Sequence, residues 1–220
     1  MSLVGVVHTT RLVIEPVHEA LAAAVPEFSI SHVLDEGILR RLAAERRITP
    51  EIEDWLTRMV ESTQDIGADC TVVSCSSLSP CVNEVRKRMR IPVLKVDEPM
   101  VAYAVAHADR IGLVMTNPTT EQPSKLLVRE VSERLSRRVD LVPRLCPDAF
   151  AKLNRGDRDG HDAEVVRAVT ELLNEVDLVM LAQISIARIR EHLDPPGRGR
   201  VLSSLDFIGP RIQEVVAGLA

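Results

Sequence analysis

The stretch Gly67-Ala68-Asp69-Cys70-Thr71-Val72-Val73-Ser74-Cys75-Ser76-Ser77-Leu78-Ser79-Pro80 reads from its side chains alone as a strand, a polar turn and a helix start. The apolar run Cys70 to Ser74 is short and rich in β-branched residues, which suits a buried strand. Proline directly after Ser79 fits the first turn of a helix, where its missing N–H costs nothing. Cys75 therefore falls between the carboxyl end of a strand and a helix N-terminus. That environment is expected to lower its pKa and raise the thiolate fraction. The hydroxyls of Ser76 and Ser77, with the free N–H groups of the turn, are suited to hold a carboxylate.

The same alternation extends in both directions, with apolar runs of strand length separated by helical patterns. This is the signature of parallel sheets flanked by helices. Upstream, the strand Leu3 to His8 stops at Thr9-Thr10. A further strand runs from Phe28 to Leu34, and helices are expected near Val17 to Ala24, Ile38 to Ala44 and Pro50 to Ile66. Downstream come a strand over Pro92 to Val96, a helix near Met100 to Ala106, and then a second round. Its strands are Ile111 to Met115, Val139 to Leu145, Leu178 to Ala182 and a short one at Val201-Leu202. Its helices are Lys125 to Leu135 and Asp162 to Asn174, and a terminal helix spans Pro210 to Leu219.

Landmarks recur at a nearly fixed offset. Thr9 and Thr116 lie 107 positions apart, Asp69 and Asp177 lie 108 apart, as do Cys75 and Gln183, and Val93 and Val201. Such a weak internal repeat implies two similar α/β halves. The expectation is two pseudo-symmetric flavodoxin-like lobes, each a mostly parallel sheet flanked by helices. Residues 1–97 plus 201–220 form the first lobe and 98–200 the second. Because ligands bind such sheets outside the carboxyl ends of the strands, an active-site cleft is expected between the lobes, lined by Thr9, Cys75, Thr116 and Gln183.

Composition narrows the function. A chain of 220 residues with 45% hydrophobic side chains carries enough apolar surface for two compact cores. The formal net charge of −5, with basic clusters beside acidic neighbours, argues against a nucleic-acid partner. The few aromatics, Phe28, Trp55, Tyr103, Phe150 and Phe207, argue against stacking platforms. No apolar run approaches the roughly 18 residues of a membrane helix, so no membrane partner and a cytoplasmic location are expected. Cys70, Cys75, Cys81 and Cys146 lack metal-ligand spacing and read as free thiols. The six histidines are scattered, so no metal site and no cofactor are expected.

Taken in order, the segments VGVVHTT (4–10), GADCTVVSCSSLSP (67–80), IPVLKVDEP (91–99), IGLVMTNPTT (111–120) and VDLVMLAQISIARI (176–189) resemble the aspartate/glutamate/hydantoin racemase superfamily, whose relatives include maleate isomerase and arylmalonate decarboxylase. The resemblance runs through most of the chain. It implies a cofactor-independent isomerase that moves a proton at the carbon next to a carboxylate of an amino acid or related small acid. In that family two cysteines flank this carbon. Cys75 matches the first; the second position is Gln183, whose amide exchanges no proton near neutral pH and offers hydrogen bonds instead. The resemblance further implies substrate contacts from Thr9, Thr10, Ser76, Ser77, Thr116, Thr119, Thr120 and Ser185, and a homo-oligomer is compatible with it.

Several readings stay open at this level. An arylmalonate-type decarboxylase or lyase needs only one thiol, and a dicarboxylate-binding protein needs none. Cys146, after a strand and before Pro147, is a candidate for the missing second thiol, and His8 for an auxiliary acid or a packed histidine. Cys70 and Cys81 read as structural. Asn154 to His161 is expected to be a mobile polar loop, and Asp194 to Gly199 a stiff surface linker.

Overall fold

The computed structural model describes residues 2–219. The chain divides into two compact units. One is formed by residues up to Pro99 together with those from Leu205 onward, and the other by Met100–Ser204.

In the first unit the strands β1 (Leu3–His8), β2 (Ser29–Leu34), β3 (Cys70–Val73) and β4 (Val93–Lys95) form a parallel sheet in the order β2-β1-β3-β4. Val4 pairs with Ile30 on one side and Cys70 on the other. Alternate side chains of a strand point to opposite faces. Val7 and Val73 present one face to α2 (Gly37–Glu45), α3 (Pro50–Asp65) and α4 (Ser79–Arg88), which contribute Ile38, Leu56, Val60 and Val82 to a buried cluster. On α1 (Ile14–Ala24) and α10 (Leu205–Ala217), which pack on each other, contacts also reach β2 and β3 respectively. The start of α3 is built as expected: the Thr49 hydroxyl accepts from the Ile52 N–H, Pro50 opens the helix and Glu51 and Glu53 lie in the first turn.

The second unit repeats this plan. Its strands β5 (Arg110–Met115), β6 (Asp140–Leu145), β7 (Leu178–Leu181) and β8 (Val201–Ser203) are parallel, in the order β6-β5-β7-β8. The helices are α5 (Glu98–His107), which begins in the first unit, α6 (Glu121–Arg134), α7 (Pro147–Asn154), α8 (Arg158–Leu172) and the short α9 (Pro195–Arg198). Val165, Val169 and Leu172 of α8 pack with Val114, Val179 and Ala149 in the core.

The repeat extends to single atoms. Asp69 accepts from the Leu3 N–H at 2.8 Å, and Asp177 accepts from the Arg110 N–H at 2.8 Å, so each first strand is tied at its start by the aspartate that precedes the third. Gly5 and Gly112 stand in the first strands where a helix comes closest. A Cβ on Gly5 would lie 2.5 Å from Thr63 Cβ, and one on Gly112 would lie 2.5 Å from Leu172 Cδ2.

Local expectations are corrected in four places. The terminal helix starts at Leu205 and carries Pro210 inside it, because the buried face Ile208, Gly209 and Ile212 keeps it packed past the proline. Residues 154–161 form the junction of α7 and α8 instead of a long loop: Asp157 caps α8 by accepting from Gly160 N–H at 2.9 Å. Residues 194–199 hold the capped α9, with Gly197 buried. Cys146, offered as a second thiol, is 6% exposed and packs in the second core, just ahead of the helix that Pro147 opens.

Candidate active site

The residues following β3 form a 3-10 turn, Ser76–Leu78, with Cys75 at its extended N-cap position. Cys75 is half-buried, whereas Cys70 and Cys81 are buried. Around its sulfur stand the Thr9 hydroxyl and the backbone N–H groups of Leu78 and Ser77. Three donors converging on one sulfur form a pocket for negative charge. Thr9 and Cys75 meet because each lies just past the carboxyl end of a neighbouring strand, β1 and β3.

The expectation of a depressed thiol pKa is corrected. Burial pushes the Cys75 thiol above its ordinary value, with the Asp97 carboxylate adding in the same direction, and the three donors oppose without overcoming it. A single 3-10 turn offers less partial charge than a full helix, and removal from water disfavours the thiolate. The resting group at neutral pH is the protonated thiol. Burial raises Cys70 and Cys81 to about 12 and also raises Cys146.

Asp97 was not singled out by the sequence reading, yet it lies beneath this turn. It is 4% exposed, is bonded by the Ser76 hydroxyl and accepts from Ser79 Oγ at 3.3 Å. Burial raises its pKa, opposed by these hydroxyls, its own backbone N–H and the buried Lys95. The signal was present: Asp97 lies two residues beyond β4, as Cys75 lies two beyond β3. Reading every residue just past a strand's carboxyl end would have found it.

Other predicted residues divide by role. Ser76 and Ser77 are buried, the first turned toward Asp97. The Thr10 hydroxyl accepts from the Leu12 N–H at 3.4 Å and caps the following turn. His8, weighed as an auxiliary acid, is fully buried and hydrogen-bonded to Ser74 and His32.

In the second unit Gln183 occupies the position that Cys75 holds in the first. Its Oε1 accepts from Thr116 N–H at 2.7 Å, Thr116 Oγ1 at 3.2 Å and Asn117 N–H at 3.0 Å. Thr119 is turned inward on Asn117, donating from backbone N–H at 3.0 Å and from Oγ1 at 2.9 Å to its Oδ1. Thr120 is buried at the start of α6. The Ser185 carbonyl accepts from Arg188 at 2.6 Å, and Arg188 grips Asp162 through two nitrogens at 2.9 and 2.7 Å. Elsewhere in this unit, a groove of about 630 Å³ along α6 and β6 is lined by Lys125, Arg129, Arg137 and Leu141 and shares no residue with the predicted site. Among the described residues no His, Cys, Asp and Glu side chains gather as a metal site, and no helix is long and apolar enough to cross a membrane.

A family model described as Asp/Glu/Hydantoin racemase matches residues 3–205. The chain belongs to the Asp/Glu/hydantoin racemase family. Among curated proteins none matches. The racemase fold is equally evident in solved structures. The chain is similar to glutamate racemase isoform RacE1 from Bacillus anthracis, with 18% identity and a TM-score of 0.77 over 100% of this chain and 83% of that one. It is similar to allantoin racemase from Klebsiella pneumoniae, with 16% identity and a TM-score of 0.75 over 99% and 88%. It is also similar to Picrophilus torridus aspartate racemase, with 12% identity and a TM-score of 0.74 over 99% and 95%. At these identities the structures speak for the fold, and the family model carries the membership.

Proposed function

We propose that this racemase-family enzyme acts on a small carboxylic acid, an amino acid or a related compound, and that Cys75 is its proton-transfer group. The observation that carries the reading is the convergence of the Thr9 hydroxyl and two backbone N–H groups on the Cys75 sulfur. In the forward step the thiol first gives its proton to solvent, the thiolate so formed removes the proton next to the carboxylate, and the C–H electron pair moves into an enediolate. The thiol that results returns its proton to carbon. The three donors stabilise sulfur while it is charged, and Asp97 favours return to the thiol. Gln183, held by three donors on its oxygen, takes the part of a fixed hydrogen-bonding amide, its Nε2 group offering donors to an oxyanion. A cytoplasmic location belongs to the same reading, supported by four free thiols.

A single thiol returns the proton to the face it left, so isotope exchange should outrun inversion. The test is incubation in deuterated water with L- and D-aspartate, L- and D-glutamate and both allantoin enantiomers, the substrates named for the similar structures. Deuterium entering faster than the optical signal decays supports the reading. No exchange with any of these acids or related hydantoins, or exchange that persists in Cys75→Ser, would sink it.

A further inference from the structure

On the face of the first sheet opposite the α2–α4 cluster, three histidines form a continuous hydrogen-bonded row. His8 Nδ1 lies 2.9 Å from Ser74 Oγ, His8 Nε2 lies 2.9 Å from His32 Nδ1, and His32 Nε2 lies 3.0 Å from His18 Nδ1. The row runs from the fully buried end of β1, across the edge strand β2, to the exposed surface of α1. Its proton order follows from the inner end. Ser74 donates its hydroxyl proton to the Val7 carbonyl at 3.1 Å, so it accepts from His8 Nδ1–H. His8 Nε2 then accepts from His32 Nδ1–H, and His32 Nε2 accepts from His18 Nδ1–H. Only Nε2 of His18 is left to take up a proton without breaking a bond. Passed inward along the row with each tautomer reversing, that proton still leaves every bond in place, whereas a second proton sets two N–H groups against each other.

His8 immediately precedes Thr9 and Ser74 immediately precedes Cys75. Successive residues of a strand point to opposite faces, so the His8–Ser74 bond ties the two strand ends on one face while Thr9 and Cys75 meet on the other. We propose that His8, held between Ser74 and the His32–His18 pair, is a positioning residue for the Thr9–Cys75 contact, and that breaking the histidine row in acid releases that contact. The proposal deepens the reading of Cys75 as the reacting thiol and rests on it.

Burial and the neighbouring His32 bring His8 down to about 4, and burial with His18 lowers His32, so adjacent histidines oppose a second charge on the row. The groups facing the row are histidines: His32 from β2 and His18 from α1, with Ser74 from β3. Among the described residues of the packed helices, Glu15 and Glu19 of α1 and Asp206, Arg211 and Glu214 of α10 stand at exposed positions, and α3 lies on the other face. His8 and His32 therefore stay neutral near pH 7, and the row is disrupted as pH falls toward 4 and a second proton enters it.

The experiment follows the rate at which iodoacetamide modifies Cys75 in the full chain, with the modified peptide identified by mass spectrometry. It needs no turnover, so it stands or falls separately from the assignment of the reaction. Thiolate loss alone lowers the rate tenfold per pH unit. In the native protein the fall should be steeper than this between pH 6.5 and 4. His8→Leu should slow modification at pH 8 about tenfold, the worth of one hydrogen bond to a charged acceptor. Thr9→Val should do the same, and the double variant should be no slower than either. His8→Asn keeps a donor toward Ser74 but has no ring to titrate. It should recover most of the rate and lose the steep acid portion, which keeps a test available should His8→Leu fail to fold. A folded His8→Leu within twofold of the native rate, additive losses in the double variant, or an acid portion retained in His8→Asn would overturn the proposal.

Discussion

The turn after β3 and the turn after β7 are the same device with different heads. In both, the residue two positions past the third strand of its unit is met by hydrogen-bond donors from the end of the first strand, Thr9 in one case and Thr116 with Asn117 in the other. In one turn the acceptor is a sulfur that titrates. In the other it is an amide oxygen that does not. The scaffold thus dictates that an electron-rich atom sits there, and the side chain decides whether a proton can leave it. Family membership follows the scaffold; the reaction follows the head group.

The sharpest way to break the comparison is to remove the titrating head. Cys75→Ser keeps shape and hydrogen bonding but raises the cost of deprotonation, so turnover on the true substrate should fall by about 10²–10⁴-fold, the usual worth of a positioned proton-transfer group. Binding of the acid should change little, because the turn donors remain. Equal turnover in Cys75→Ser would show that the two turns do not differ in the way that matters. The converse change makes the second turn like the first. Gln183→Cys should raise inversion relative to isotope exchange, toward the about 10²-fold that a second proton-transfer group contributes. An unchanged ratio, measured by chiral chromatography beside deuterium uptake, would mean that the second turn takes no part in proton transfer.

A smaller effect is expected behind the first turn. Asp97 carries negative charge toward Cys75 and raises its thiol. Asp97→Asn removes that charge while keeping an acceptor for Ser76 and Ser79. The midpoint of Cys75 alkylation against pH should move down by up to about one unit. The sign decides the matter: an upward shift would mean that Asp97 serves the thiolate by ordering Ser76 and Ser79, and that its charge is secondary.

Much of this plan was legible in the chain. Short β-branched runs alternating with helical patterns announce parallel sheets, and the offset of Thr9 to Thr116 and Cys75 to Gln183 exposed the duplication, because strand ends must recur in register. Thr49-Pro50 marked a helix start that the structure has in full. What was hidden depended on distant partners. Asp97 went unnoticed because nothing local says that Ser76 and Ser79 bond it. The histidines at 8, 18 and 32 looked scattered because β1, β2 and α1 align them only after folding. The thiol pKa was misjudged because helix-end charge can be read locally, while burial cannot. Pro147 starts a helix that went unread, and Pro210 was taken for the start of a terminal helix that begins at Leu205 and runs through it.

The smallest predicted difference tests whether the two units are equally tolerant at their equivalent glycines. Gly5 and Gly112 sit at the same position of their first strands, and at both a methyl group would meet a helix side chain at 2.5 Å. The obstacles differ. Over Gly5 stands Thr63, branched at Cβ, whose hydroxyl donates to the Val60 carbonyl at 2.7 Å and bonds Thr71 Oγ1 at 2.5 Å. That side chain has little freedom to turn, and the clash is with Cβ itself, so relief requires the helix to move. Over Gly112 stand Leu172 Cδ2 at 2.5 Å, its Cγ at 2.9 Å and Val176 Cγ2 at 3.2 Å, and the unbranched Cβ of Leu172 lets that side chain turn away as a whole. Overpacking typically costs about 1–3 kcal/mol. Gly5→Ala should lie at the upper end of that range and Gly112→Ala at or below the lower end, where the reduced freedom of the unfolded chain offsets part of the loss. Urea denaturation of both variants, followed by far-ultraviolet dichroism, measures the difference. Equal destabilisation would mean that α8 is held over its sheet as rigidly as α3, and that the two units differ in their turns alone.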